Sequence, residues 1–381
     1  MKTFRIVLLA ISIITISCED SGILNPSDAL ESIPLLELEI SNEDYIRLKN
    51  NRTNSLKVPV LIKFNNQIHS GEIRAAGAGS RYHPKWSYNI KLTDGILIEG
   101  LPEFNLSAQV FDPTLMHTTI ATHLYKQLGF TLFNSRHLFL KINNNDEGLY
   151  PMIEVVDQPF FSDRDIPVYQ LFKLGFDSKF TFIGGNYPEF HFEKKIPDDD
   201  NFSELYNLIY AIDTSSTENI FNTLGKHLDI NQYIKYHAIT TLMNSFDAFT
   251  NNIFLLKKSS AEPFTLVPWD FDKIFQSDNL SKLAGENSII KKLFQNDSTF
   301  NLYKDELEYQ LNNIFTEQNI FPVIDSTKNI IEDGYNLDPY LGSGGRYNFL
   351  TEIENLKSYI SQRRNYINDN LNLLTKDYFN N

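Results

Sequence analysis

An α+β fold, with an antiparallel sheet first and helices after it, is what the 381-residue sequence predicts. Three observations carry that prediction. Runs with two-residue alternation crowd the first 155 residues, helical spacing takes over from about Phe202, and no internal repeat interrupts the order. Apolar residues make up 42% and aromatics 13%, enough to fill a large core and to exclude disorder as the main state. The length suits one large two-lobed domain or two domains of ordinary size.

The chain opens on an address. Met1–Ser17 has Lys2 and Arg5 followed by the uncharged, apolar Ile6–Ser17, the charged head and short apolar run of a secretory signal peptide. That run is too short to span a bilayer, which needs roughly 20 apolar residues. Cys18, the single cysteine, follows at once, and Ile16-Ser17 before it suits the cleavage site of a bacterial lipoprotein, with Thr15 where a branched aliphatic is usual. The expected mature chain starts at a lipidated Cys18, is exported and membrane-anchored in the cell envelope or at the cell surface, and has no second thiol for a disulfide or a zinc ribbon. Residues 18–33, with Glu19-Asp20-Ser21-Gly22, read as a tether. Acidic residues just after the cysteine are similar to surface-export signals of some bacteria.

Folded sequence is expected over residues 34–374. Pro34–Ile40 alternates as a strand, Asn42–Asn50 is a helical excursion, and Val58–Phe64 is a second strand. Asn65-Asn66 turns the chain back into Gln67–Ala75, and Tyr88–Leu92 alternates again. Asp112-Pro113 reads as a helix start, Asp as cap and Pro in the first helical position. Met116, Ile120, Leu124 and Leu128 then share a face, and Gly129 ends the helix. Leu138–Ile142 and Leu149–Val155 are strand-like, joined by a turn over Asn143–Gly148. The last long helix carries Ile353, Leu356, Ile360, Ile367 and Leu371 on its apolar side. Asp198–Asp200 and Leu341–Gly345 read as loops.

Charge excludes one class of partner. With 34 basic against 48 acidic residues the net charge is −14, and no basic patch offsets it, so no nucleic-acid partner is expected.

The chemistry concentrates between Phe246 and Phe275. Asp247 precedes Asn252 by five residues, a strand-like run Ile253–Leu256 follows, and the apolar Phe264–Trp269 then delivers Asp270 and Asp272. Carboxylates at the end of a buried strand are costly unless hydrogen-bonded or bound to metal. Phosphoryl transfer uses such a set, one Asp to orient the attacking hydroxyl and an Asn with another Asp to hold the metal that neutralises phosphates. Asp247, Asn252 and Asp270-Phe271 stand in the order that protein kinases use; the plain alternative is that Asp247 caps a turn and the other two are surface carboxylates. Upstream, Gly77-Ala-Gly79-Ser80 could cover phosphates or be an ordinary tight turn. Lys85 and Lys91, six apart, are expected on one face of the strand that follows. Leu149–Val155 could lead to a hinge whose backbone holds adenine, or be one more core strand. A P-loop, a His-Glu-x-x-His motif and a nucleophilic serine elbow are all absent, and the eight histidines show no ligand spacing.

Taken in order, these blocks resemble the spore-coat protein H (CotH) family of atypical secreted kinases. Ile73-Arg-Ala-Ala-Gly-Ala-Gly-Ser-Arg81 and Pro84-Lys-Trp-Ser-Tyr-Asn-Ile-Lys-Leu92 are similar to its Arg-Gly-x-Ser-Ser … Pro-Lys-Lys-Ser-Tyr signature. Asp112-Pro-Thr-Leu-Met116, Gly148–Glu154, Asp247-x₄-Asn252, Pro268-Trp-Asp-Phe-Asp272 and Leu356–Arg363 match further blocks. The resemblance implies an atypical protein-kinase-like fold of two lobes, about 34–155 and 156–374. It also implies transfer of the ATP γ-phosphoryl group to serine or threonine of an unidentified protein, with Mg²⁺ or Mn²⁺. Asp247 would be catalytic, and Asn252, Asp270 and Asp272 metal ligands. Gly77, Gly79, Ser80 and either Lys85 or Lys91 would serve the phosphates, with Glu154 at the nucleotide. The chain departs from the signature at Ala76 (Arg in the family), Gly79 (Ser), Trp86 (Lys) and Gln276 (Gly). A second reading therefore stands beside the enzyme: a surface-attached binding protein, adhesin- or invasin-like, with the kinase fold and little or no catalysis. Chemistry on a non-protein acceptor is a third.

Overall fold

The computed structural model describes residues 33–380 apart from 78, 176, 183, 186, 278 and 279. The expected signal peptide, Cys18 and the tether up to residue 32 lie outside the described residues. Among those described, no helix is long and apolar enough to cross a membrane.

Seven strands close a barrel: β1 (Leu35–Glu39), β2 (Val58–Phe64), β3 (Gln67–Ala76), β4 (Ser87–Leu92), β5 (Glu103–Leu106), β6 (Ser135–Ile142) and β7 (Asn145–Glu154). Their order around the barrel is β1-β2-β3-β4-β5-β7-β6. Helix α1 (Asn42–Asn50) starts where Ser41 Oγ accepts the Asp44 amide, and it occupies the expected residues. Alternation sends Leu36, Leu38, Ile62, Ile73, Ile90 and Phe104 inward, where all are buried. Asn65 and Asn66 turn the β2–β3 hairpin with φ of 48° and 61°, and Asn143 and Asn144 turn β6–β7 with 49° and 65°. Positive φ at both central residues is the two-residue turn whose twist matches the strands, and Asn tolerates it. The second turn is thus shorter than the expected Asn143–Gly148, because pairing resumes at once with Ile142 opposite Asn145.

The expected antiparallel sheet needs one correction. β1 pairs antiparallel with β2 but parallel with β6, Leu35 opposite Phe139 through Leu38 opposite Ile142, and that pair closes the barrel. Closure removes the free edges that an open sheet would present. A second correction concerns helix α2 (His117–Gln127), which starts four residues after Pro113. Leu115 has φ of 58° and so breaks the helix before it can form. The Asp112 carboxylate instead accepts from the Thr114 amide and hydroxyl and from the His117 amide. Gly129, at φ 84°, does lie just past the helix end.

A four-stranded antiparallel sheet follows, with order β11-β10-β8-β9, from β8 (Gln170–Leu174), β9 (Phe192–Ile196), β10 (Ile253–Lys257) and β11 (Thr265–Pro268). β5, β8 and β9 were not anticipated; they are short, and β9 reads Phe-Glu-Lys-Lys-Ile, with too little alternation to stand out. Helices α3 (Gln158–Ser162), α4 (Pro188–His191), α5 (Ser203–Thr214), α6 (Ile220–Leu224) and α7 (Ile230–Leu242) surround this sheet in the chain order. After it come α8 (Ser288–Phe294), α9 (Asp297–Asn313), α10 (Glu317–Leu337) and α11 (Phe349–Asn370). In α11, Ile353, Leu356, Ile360 and Ile367 are buried as expected, while Leu371 falls beyond the helix end and is half-buried. The barrel interior and the sheet-plus-helix region each have their own apolar core.

Candidate active site

The β10–β11 hairpin brings the acidic residues together. Ile253 pairs with Pro268, so Asn252 and Trp269 meet at the same end, where the Trp269 amide donates to the Asn252 carbonyl at 3.0 Å. Asn252 Nδ2 donates to the Asp270 carbonyl at 3.4 Å. Both residues hold left-handed backbone, φ of 58° at each. Such conformations cost a non-glycine residue about 1–3 kcal/mol and cluster where function requires them. Asp247 stands in a single 3₁₀ turn, Phe246–Phe249, just before the hairpin. One of its carboxylate oxygens accepts from Asn251 Nδ2 at 2.8 Å, and the other lies 3.2 Å from Lys273 Nζ.

The carboxylates crowd one another. Asp270 meets water at the mouth of the site, yet the surrounding protein still pushes its carboxyl above the ordinary range; Lys173 opposes that rise and the Asp247 charge adds to it. Asp272 is pushed well above the ordinary range, first by burial and then by the neighbouring Asp270 charge. Its backbone is pinned by His117, whose Nδ1 donates to the Asp272 carbonyl at 3.0 Å and whose Nε2 lies 3.4 Å from Asp112. Among the described residues no three His, Cys, Asp or Glu side chains gather as a metal centre. The fit to a divalent cation rests instead on two mutually repelling carboxylates beside the Asn252 amide, a field that a cation relieves.

The glycine loop leaves the end of β3. Gly77 has φ of 78° and a Cβ there would collide with Ser80 Oγ, whereas a Cβ at Gly79 would meet nothing. Ser80 Oγ lies 3.4 Å from the Ala76 carbonyl and opens a 3₁₀ turn, Ser80–Tyr82. Further along, the His83 ring meets Phe111 edge-on at 5.6 Å, and Phe111 lies 4.9 Å under the Lys273 ammonium. A chain of contacts thus joins the loop to Asp247.

Lys85 and Lys91 do not share a face. β4 begins only at Ser87, so Lys85 precedes the pleat; it is buried, 2.6 Å from Asp338 and 2.6 Å from the Leu149 carbonyl. Lys91 points outward from the barrel, exposed and 3.6 Å from Glu103. Glu154, at the end of β7, is buried and gripped at both oxygens by Arg164, at 2.9 and 2.6 Å, while Oε2 also accepts the Asn134 amide. In this structure it fastens the exit of the barrel strand to Arg164, in the turn that follows α3.

Four cations were missed. Lys273 follows the Asp272 motif directly and could have been noticed for that reason. Arg74 stands two residues before Ala76 on the same outward side of β3, inside the quoted glycine block but at a position given no role there, and Lys173 lies on β8 outside every quoted motif. Arg363 occupies the apolar side of α11 between Ile360 and Ile367, and a cation in that stripe is a legible signal. Fully buried, it donates to the carbonyls of Leu280, Thr241 and Lys282, holding the segment after Phe275 against the end of α7.

Comparison with known proteins follows the same lines. The family model described as CotH kinase protein matches residues 73–367. Inner spore coat protein H of Bacillus subtilis (strain 168) is 24% identical over 358 residues, 90% of this chain and 99% of that protein. Among solved structures, the Helicobacter pylori proinflammatory kinase CtkA is similar at 14% identity over 84% of this chain and 88% of that one. Its TM-score is 0.29, a superposition too loose to carry an argument.

Proposed function

Because the chain belongs to the CotH kinase protein family, we propose that it is an exported, two-lobed protein kinase acting on serine or threonine hydroxyls of proteins in the cell envelope. The family is one of kinases, and ATP is the co-substrate it implies. One observation supports the reading above the others: Asn252 and Asp270 stand at the same end of one hairpin, with Asn252 Nδ2 on the Asp270 carbonyl, and Asp247 in the turn before it is held by Asn251. Asp247 would accept the acceptor hydroxyl's proton as the new oxygen–phosphorus bond forms and the bond to ADP breaks. Lys273, already on one Asp247 oxygen, would keep that carboxylate oriented. Asn252, Asp270 and Asp272 would hold Mg²⁺ or Mn²⁺, which when bound neutralises phosphate charge. Lipid on Cys18 would retain the enzyme at the membrane. The experiment is transfer of labelled γ-phosphate from ATP to an envelope extract by the wild-type chain and by Asp247→Ala. Equal transfer by a folded Asp247→Ala would refute the assignment.

A non-catalytic surface binding protein is the second reading. It is supported by aromatics left open to water beside α4 and α5, with Tyr187 54%, Tyr210 63% and Phe190 79% exposed. Partner capture that survives Asp270→Ala and needs no metal would favour it.

A further inference from the structure

We propose that Asn287, together with Tyr236, is a positioning residue for Asp247, fixing the backbone turn that presents that carboxylate. The inference rests on the kinase reading and names what holds its proposed base in place.

A single 3₁₀ turn leaves its last carbonyls without helical partners, and buried carbonyls must find others. In the turn Phe246–Phe249, the buried Ala248 and Phe249 meet that need through side chains. The Ala248 carbonyl accepts the Tyr236 hydroxyl at 2.7 Å, and the Phe249 carbonyl accepts Asn287 Nδ2 at 2.8 Å. Two successive peptides, directly after Asp247, are therefore held by α7 on one side and by the start of α8 on the other.

Both donors are themselves fixed. Tyr236 is buried on α7 and stacks on Tyr125 with ring centroids 5.7 Å apart. Asn287 caps α8: its Oδ1 accepts the Ile290 amide at 3.0 Å and the Tyr233 hydroxyl at 2.8 Å. With two donors on that oxygen the amide cannot flip, so Nδ2 faces the Phe249 carbonyl. The Phe249 ring completes the joint. It lies 4.4 Å from the His237 ring and against Gly285, where a Cβ would collide with it. His237 Nε2 donates to the Gly285 carbonyl at 3.1 Å, which ties that segment to α7 as well.

The work on Asp247 is thus divided. Asn251 and Lys273 orient its carboxylate, while Tyr236 and Asn287 hold the peptides behind it. A base displaced by about 1 Å from its acceptor loses about 100-fold in rate, and binding of the nucleotide need not change.

The test separates the helix cap from the positioning. Asn287→Asp and Asn287→Ser both retain an oxygen for the α8 cap and lose the Nδ2 hydrogen that holds Phe249. Each should lower the maximal rate of γ-phosphate transfer from ATP to the envelope extract by about 10- to 100-fold. KM for ATP should stay within about threefold of wild type, and the melting temperature should stay close to it. Tyr236→Phe should show the same split. A wild-type rate in both Asn287 variants, or a raised KM at unchanged maximal rate, would overturn the positioning role and leave the kinase reading standing. A rate that falls only in proportion to the folded fraction, read by circular dichroism at the assay temperature, would overturn it too. A wild-type chain that transfers no phosphate would overturn both.

Discussion

The Lys85 ammonium lies 2.6 Å from an Asp338 oxygen, across 253 residues of sequence and out of water. That same oxygen accepts the Leu149 amide at 2.8 Å, and the ammonium sits 4.5 Å over the Tyr150 ring. One ion pair therefore joins the loop before β4, the middle of β7 and the end of α10. Lys85→Met strands a buried carboxylate and should cost about 3–5 kcal/mol in chemical unfolding. Adding Asp338→Asn removes the stranded charge and should restore part of that loss, since its single amide oxygen can serve either the Leu149 amide or those of Tyr340 and Leu341. A double variant no more stable than Lys85→Met would refute the pair as the source of the effect.

Asp247 is part of the surface of the site and not of the core, so its removal should spare the fold. Asp247→Asn should lower phosphoryl transfer by about 10²–10⁴-fold, the usual range for a positioned acid or base. Its melting temperature should match the wild type.

The raised carboxyls of Asp270 and Asp272 make a signed pH prediction. Between the ordinary carboxylate range and their raised folded values, the folded chain holds protons that the unfolded chain has lost. Stability from these groups therefore falls as pH rises through that window. Asp272→Asn should melt above the wild type at pH 7, with the difference closing towards pH 4. Mg²⁺ or Mn²⁺ should raise the wild-type melting temperature at pH 7 and move the variant less. Identical melting curves at pH 7 would count against the charge repulsion.

The two glycines of the loop should respond differently. Gly77→Ala must adopt φ of 78° and displace Ser80, at a cost of about 1–2 kcal/mol. Gly79→Ala has open space and an ordinary φ of −75°, so its unfolding midpoint should be unchanged.

What was legible depended on distance along the chain. α1 and β2 were readable because capping and alternation are local, and the order Asp247, Asn252, Asp270 because one hairpin carries the last two and Asp247 stands in the turn just before it. The β1–β6 pair was not: Leu35 meets Phe139, and no nearby residue announces a partner a hundred positions away. Lys85 and Lys91 looked equivalent by spacing, but the pleat begins between them and the partner of Lys85 lies near the end of the chain.

Arg363 also sets a clock. Its guanidinium reaches back to Leu280, 83 residues earlier, and to Thr241, so the acidic hairpin is synthesised well before the group that braces the segment behind it. At about 5–20 residues per second, the ribosome adds that stretch in roughly 4–17 s. Until then a nascent chain holds every carboxylate of the site without its final support. On the kinase reading, catalytic competence would be a property of the finished polypeptide, acquired near the end of translation, and a chain cut short before α11 should be born silent.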